Sequence, residues 1–191
     1  MQPTENGDSP LSHKVQQALA ASAAGDAALA VQLFRLASVE QPTAAIPQFL
    51  LGAELAQAGR AAEAEAAFAN AVLLAPDFHM ARFQLGLCQF TAGSAALGLV
   101  TWQALLKLPG DEPLRSFVLG FTELAQDRFE NALDCFSLGM ALNTSNAPLN
   151  ADIGKVMKRI RDQPQLSDPG PAIADDAHVL LSNYHAQGPL K

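Results

Sequence analysis

Four histidines, two cysteines and two adjacent acidic pairs are the side chains from which this 191-residue sequence would have to build a metal site, a reactive thiol or an acid–base couple. His13, His79, His178 and His185 are scattered over regions that do not converge, so no metal site is expected, and His79 reads as a surface residue. Cys88 and Cys135 lie far apart, without CxxC or Cys/His spacing, which predicts two buried, reduced thiols. Asp111-Glu112 and Asp175-Asp176 sit at predicted helix starts, where negative charge suits the helix dipole. The sequence holds no phosphate-binding glycine loop, no HExxH and no GxSxG elbow. The expectation is a protein that is not an enzyme and uses no cofactor or metal.

The elements that carry these residues follow from composition. The chain has 36 Ala against 18 Val, Ile and Thr combined. That bias favours helix over sheet, because Ala loses no rotamer entropy in a helix and β-branched residues do. A net charge of −7 speaks against a partner with a phosphate backbone. Met1–Pro10 carries Glu5 and Asp8 and no basic or apolar leader pattern, so a disordered N-terminus and no secretory signal are expected. No stretch approaches the ~18 consecutive apolar residues of a membrane span, so no membrane insertion and a cytoplasmic protein are expected.

A 34-residue period organises the chain. Leu51-Gly52 recurs as Leu85-Gly86 and Leu119-Gly120, with Gln17-Ala18 one step earlier. Turn residues recur at Gly25, Gly59, Gly93 and Asp127, and small residues at Ala30, Ala64, Gly98 and Ala132. Aromatics recur at Phe34, Phe68, Trp102 and Phe136, and prolines close the first two units at Pro42 and Pro76. A mid-unit Gly or Asp tolerates the left-handed backbone that ends a first helix. The small residue before it admits a second helix closely, and the aromatic fills the space between one pair and the next. Proline stops the second helix. Pairs of this kind expose an apolar side that stacking hides.

This spacing resembles the tetratricopeptide repeat (TPR). The resemblance implies an all-α, right-handed solenoid of four helix pairs at 11–44, 45–78, 79–112 and 113–146, and the second unit is the best match through Leu51, Gly52, Ala64, Phe68, Ala71 and Pro76. The family's Trp and Tyr in the first helices are missing: Lys14, Gln48, Arg82 and Ser116 stand for one, Ala21, Leu55, Gln89 and Glu123 for the other. Pro109 falls one residue early and the fourth unit ends in Thr144, so the first helices are expected to be tilted or rolled. Residues 147–162 read as a capping helix, with Leu149, Ile153, Val156, Met157 and Ile160 on one face and Lys155, Lys158, Arg159 and Arg161 on the rest. Residues 163–171 form a Pro-rich linker, and Ile173, Ala177, Leu180, Leu181 and Tyr184 suit a short amphipathic tail helix.

The resemblance also implies a binding wall, made by four positions of each first helix. The first helix contributes Ser12, Val15, Leu19 and Ser22, the second Ile46, Phe49, Ala53 and Ala56. The third contributes Met80, Phe83, Leu87 and Phe90, the fourth Leu114, Phe117, Phe121 and Leu124. Twelve of these sixteen are large and apolar and none is charged. Three readings follow. The stripe is an apolar groove for an extended or helical segment of another protein; it is covered by the chain's own tail or a second copy, so that self-association is possible; or the helices are rolled and it is partly core, with Gln89 and Glu123 outward.

TPR domains that grip a chaperone's C-terminal carboxylate use Lys and Asn where this chain has Val15 and Leu19, Phe49 and Ala53, Phe83 and Leu87, so that partner is excluded. Size, acidity and an apolar groove are similar to the class II chaperones of bacterial type III secretion, although those usually have three repeats. Pro164 to Pro169 forms a P-x-L-x-x-P string like the segments they hold. The sequence is thus read as an adaptor or chaperone that binds a protein segment. A structural subunit with a permanently filled groove is the alternative.

Overall fold

The computed structural model describes residues 12–162, and the N-terminal segment, the Pro-rich linker and the tail helix expected from sequence lie outside them. The described residues form nine α-helices and one 3-10 turn, and no strand. They fall in two compact units, one ending at Ala81 and the other beginning at Arg82, within α5 (His79–Thr91).

The first unit holds α1 (His13–Ala23), α2 (Ala27–Glu40), α3 (Ala45–Gln57) and α4 (Ala61–Leu74), each packed on the next. Ser12 and Asp26 begin α1 and α2, their side chains accepting from the Val15 and Leu29 amides and satisfying donors that a helix start leaves open. Gly25 and Gly59 have φ of +80° and +73°. After Gly25, the Asp26 amide reaches back to the Ala21 carbonyl at 2.9 Å, and after Gly59 the Arg60 amide reaches Leu55 at 2.9 Å. This closes each first helix with a left-handed cap and turns the chain into the second. Pro42 and Pro76 follow the ends of α2 and α4. Ala18, Phe34, Ala30, Ala64 and Phe68 are all at most 1% exposed. A Cβ on Gly52 would sit 2.8 Å from the Phe68 ring. The aromatic therefore seats on the small residue of its own helix pair, more locally than the sequence suggested.

The second unit contains the rest of α5, then α6 (Ala95–Trp102), the 3-10 turn Leu105–Lys107, α7 (Pro113–Leu124), α8 (Phe129–Leu142) and α9 (Ala147–Arg161). Gly93 at φ +87° and Asp127 at +56° make the corresponding turns. Here α6 is only eight residues long. Its chain tightens into the 3-10 turn ahead of Pro109, which disfavours helix in the residue before it, and the Arg115 Nε donates to the Leu106 carbonyl at 3.2 Å. Leu105 is buried completely by this turn. α7 packs on the turn and on α8, and α8 on α9. Leu149, Ile153, Met157 and Ile160 of α9 are buried, and its outer side carries the Lys155–Asp152 and Lys158–Asp162 pairs.

A clasp of three asparagines joins α8 to α9 where other units carry proline. The Asn143 Nδ2 donates to the Asn146 carbonyl at 2.9 Å and to Asn150 Oδ1 at 2.8 Å. Asn150 returns a bond to the Asn143 carbonyl at 3.0 Å, and the Asn146 Oδ1 caps α9 at the Leu149 amide. Carbonyls released at the end of α8 are met by side chains instead of solvent.

Candidate protein-binding face

The structure separates the twelve apolar wall residues into two sets. Val15, Phe83, Phe90, Leu114, Phe117 and Phe121 are buried, none more than 8% exposed. The expectation that they line an open groove is corrected: they are core. Leu19 and Ile46 are exposed, at 39% and 47%, and Phe49, Met80, Leu87 and Leu124 are half-buried.

Packing in the second unit explains the correction. Phe121 lies 5.0 Å from Phe136, 5.1 Å from Trp102 and 5.2 Å from Phe90, centroid to centroid, and Phe83 stacks on Trp102 at 5.7 Å. Phe117 presses on Gly139, where an added Cβ would fall 2.5 Å from its ring. Ser116 and Gln89, at columns where the TPR pattern has a large aromatic, are themselves buried. With no large aromatic at these columns, the neighbouring Phe83, Phe90, Phe117 and Phe121 supply the buried bulk that close packing demands. The rolled-helix reading was right about these aromatics and wrong about Gln89, which accepts a 2.6 Å bond from the Thr101 hydroxyl within the fold. Glu123 is half-buried and accepts from the Arg128 Nε at 2.5 Å and from Asn131. The Arg128 guanidinium, helped by the Asn131 amide, holds its carboxyl below the usual range.

In the first unit the accessible residues come from three helices: Leu19 from α1, Ile46 and Phe49 from α3, Met80 from the first turn of α5. Phe49 is backed by aromatic rings, 5.8 Å from Phe68 and 4.8 Å from Phe78. Phe78 lies in the inter-repeat connection and escaped the sequence reading, which searched helical columns only. The Ser22 hydroxyl donates to Glu54 Oε2 at 2.7 Å and ties α1 to α3. Glu54 is buried, so its carboxylate does not face a ligand on this wall. The remaining wall positions are the small Ser12, Ser22, Ala53 and Ala56.

No group of three or more His, Cys, Asp or Glu could hold a metal among the described residues, and no described helix is long and apolar enough to cross a membrane. Cys88 and Cys135 are not joined in a disulfide, and both are half-buried rather than fully buried as expected. Burial, then the charges of Glu123 and Asp134, pushes the Cys135 thiol above its usual pKa, away from the reactive thiolate. A recess of about 340 Å³ lies at the start of α8, lined by Asp127–Asn131. Its Arg128 and Asn131 are already engaged by Glu123.

No protein-family model matches the sequence. No curated protein matches it either. Solved structures do. MamA, residues 41 to the end, from Desulfovibrio magneticus RS-1 has a TM-score of 0.57 at 14% identity, over 83% of this chain and 99% of that one. YrrB, described as a TPR protein with an unusual peptide-binding site, has a TM-score of 0.56 at 17% identity, over 80% of each chain. At this identity the likeness establishes the fold, an all-helical TPR solenoid.

Proposed function

We propose that the chain is a non-enzymatic interaction module that takes an uncharged, apolar segment of another protein on the wall formed by α1, α3 and the start of α5. The observation that carries this is the exposure of Leu19 and Ile46 beside the half-buried Phe49 and Met80. Exposed aliphatic side chains gain by being covered, and Phe49 is held in place by Phe68 and Phe78 behind it.

The peptide-binding site named for YrrB supports a peptide as the class of ligand. Small, neutral Ser12, Ser22, Ala53 and Ala56 between the apolar positions select against charge on the segment, since a charge placed there would lose water and gain no partner. Adaptor and chaperone use both follow from that chemistry. Two cysteines not joined in a disulfide suit a reducing compartment, and the proposal places the protein in the cytoplasm.

The test is binding to a panel of immobilised uncharged apolar peptides. Leu19→Asp with Ile46→Asp should abolish binding of the peptides that the parent retains, at unchanged helicity. Undiminished binding by that variant would sink the assignment.

A further inference from the structure

We propose that the outer face of α2 and α4, on the first unit, is a self-association surface that takes a second copy of this chain. This surface is distinct from the wall assigned above. It does not depend on that assignment.

Three observations converge on it. Leu29 and Leu36 on α2 are 43% and 49% exposed, Val39 is 77% exposed, and Leu73 on α4 is 78% exposed. Val39 and Leu73 occupy the same column, 34 residues apart, each three residues before the proline that closes its unit. Largely solvated aliphatics at a repeated position are not explained by packing within the repeat, because Ala30, Val31, Phe34 and Ala37 supply the buried side of α2 and Ala64, Ala67, Phe68 and Ala71 that of α4.

The charges on this face are matched among themselves. Arg35 on α2 donates to Glu63 on α4 at 2.6 Å, and Arg60 binds the same carboxylate at 2.7 Å. The Arg35 bridge also shows that the outer sides of α2 and α4 adjoin. Around these groups α4 exposes the small Ala62, Ala66 and Ala69, over which another helix can approach closely, and the uncharged Asn70. The corresponding face of the second unit has Leu97, Val100 and Leu138, but there α8 carries Glu130 and Asp134, which oppose like charges in a symmetric contact.

Spacing and area favour a copy of the same chain as occupant. Leu29, Leu36 and Val39 stand at i, i+7 and i+10, the spacing of a heptad seam, and two α2 helices can bury such seams against each other about a two-fold axis. The four large side chains leave a few hundred Å² of apolar surface in water, as large as the biggest patch on a typical monomer. Two copies remove twice that, and with the alanines and their surroundings the interface reaches ~1,000 Å², the lower end for specific contacts. A micromolar dimer is the expected strength.

Sedimentation equilibrium on the full chain tests this. The parent should shift from monomer to dimer with rising concentration, and Val39→Asp with Leu73→Asp should weaken the dimer by about 100-fold or more at unchanged helicity. Val39→Lys with Leu73→Lys should do the same, because the loss is of apolar contact and not an effect of one charge sign. Leu138→Asp and the Leu19→Asp, Ile46→Asp variant should dimerise like the parent, which separates this surface from the peptide wall. A parent that stays monomeric up to ~100 μM, or a dimer indifferent to Val39 and Leu73, overturns the proposal.

Discussion

Trp102 occupies the place where Gly86 would carry a side chain. A Cβ on Gly86 would lie 2.5 Å from the indole Cε2 and 2.7 Å from Cδ1, and the indole Nε1 donates to the Phe83 carbonyl at 2.9 Å, one turn before that glycine. The indole is fully buried, so it has nowhere to withdraw.

Gly86→Ala should therefore destabilise the protein, although Gly→Ala inside a helix is ordinarily favourable by about 1 kcal/mol. Gly86→Leu should lose roughly 3 kcal/mol or more from overpacking. The control is Gly154, inside α9, where an added Cβ meets nothing within 4 Å. Gly154→Ala should stabilise by about 0.5–1 kcal/mol. Urea denaturation of the three variants checks the pair of opposite signs, and equal signs for the two alanine variants would refute the packing account.

Phe83 and Phe117 are both fully buried, whereas Ile46 is 47% exposed. Phe83→Asp or Phe117→Asp should abolish cooperative unfolding of the second unit, because each buries a carboxylate among aromatic rings without a partner. Ile46→Asp should change stability by no more than about 0.5 kcal/mol. Thermal melts followed by dichroism distinguish them. A stable Phe117→Asp variant would restore the open groove in that unit.

The repeat register was legible because each column answers a local demand. Gly25, Gly59, Gly93 and Asp127 must adopt positive φ, and Phe68, Trp102 and Phe136 must meet a glycine on the preceding helix. Such demands stay within one unit and leave a trace at a fixed interval. The candidate wall was half legible. Periodicity identifies one face of a helix but does not say which of its residues are buried, and Phe117 is buried against Gly139, a residue outside the wall columns. Phe78 and the asparagine clasp were invisible for another reason: their partners lie across a turn, and no helical period marks them.

The Glu123–Arg128 pair gives an acid-side signature. Arg128, with Asn131, lowers the Glu123 pKa in the folded state, so the ionised carboxylate stabilises the fold at neutral pH. That contribution is complete above the ordinary carboxylate pKa of about 4.3 and disappears as pH falls through the lower folded value. Glu123→Gln should be less stable than the parent at neutral pH, and the difference should shrink below about pH 4. The pair is at the surface, so the effect should be small and further reduced by salt. A difference that grows on acidification would contradict this assignment.

Asn143 holds the junction that carries α9. It is 6% exposed and makes bonds no other residue type can make together: Nδ2 donates to the Asn146 carbonyl and Asn150 Oδ1, while its Oδ1 accepts from the Asn146 amide at 3.3 Å. Asn143→Ala removes all three and leaves Asn150 Oδ1 without its donor, at a cost of about 1–3 kcal/mol. Asn143→Asp keeps the acceptor and loses both donors, so it should be at least as damaging. Because α9 packs on α8 and buries Leu149, Ile153, Met157 and Ile160, loosening this junction should open α9 before the rest of the chain. Hydrogen exchange should then quicken across Ala147–Arg161, with more binding of an apolar dye, while protection in α1–α4 stays at the parent level. Uniform acceleration over all helices would show that Asn143 supports the whole fold, and unchanged exchange in α9 would show that the clasp holds nothing.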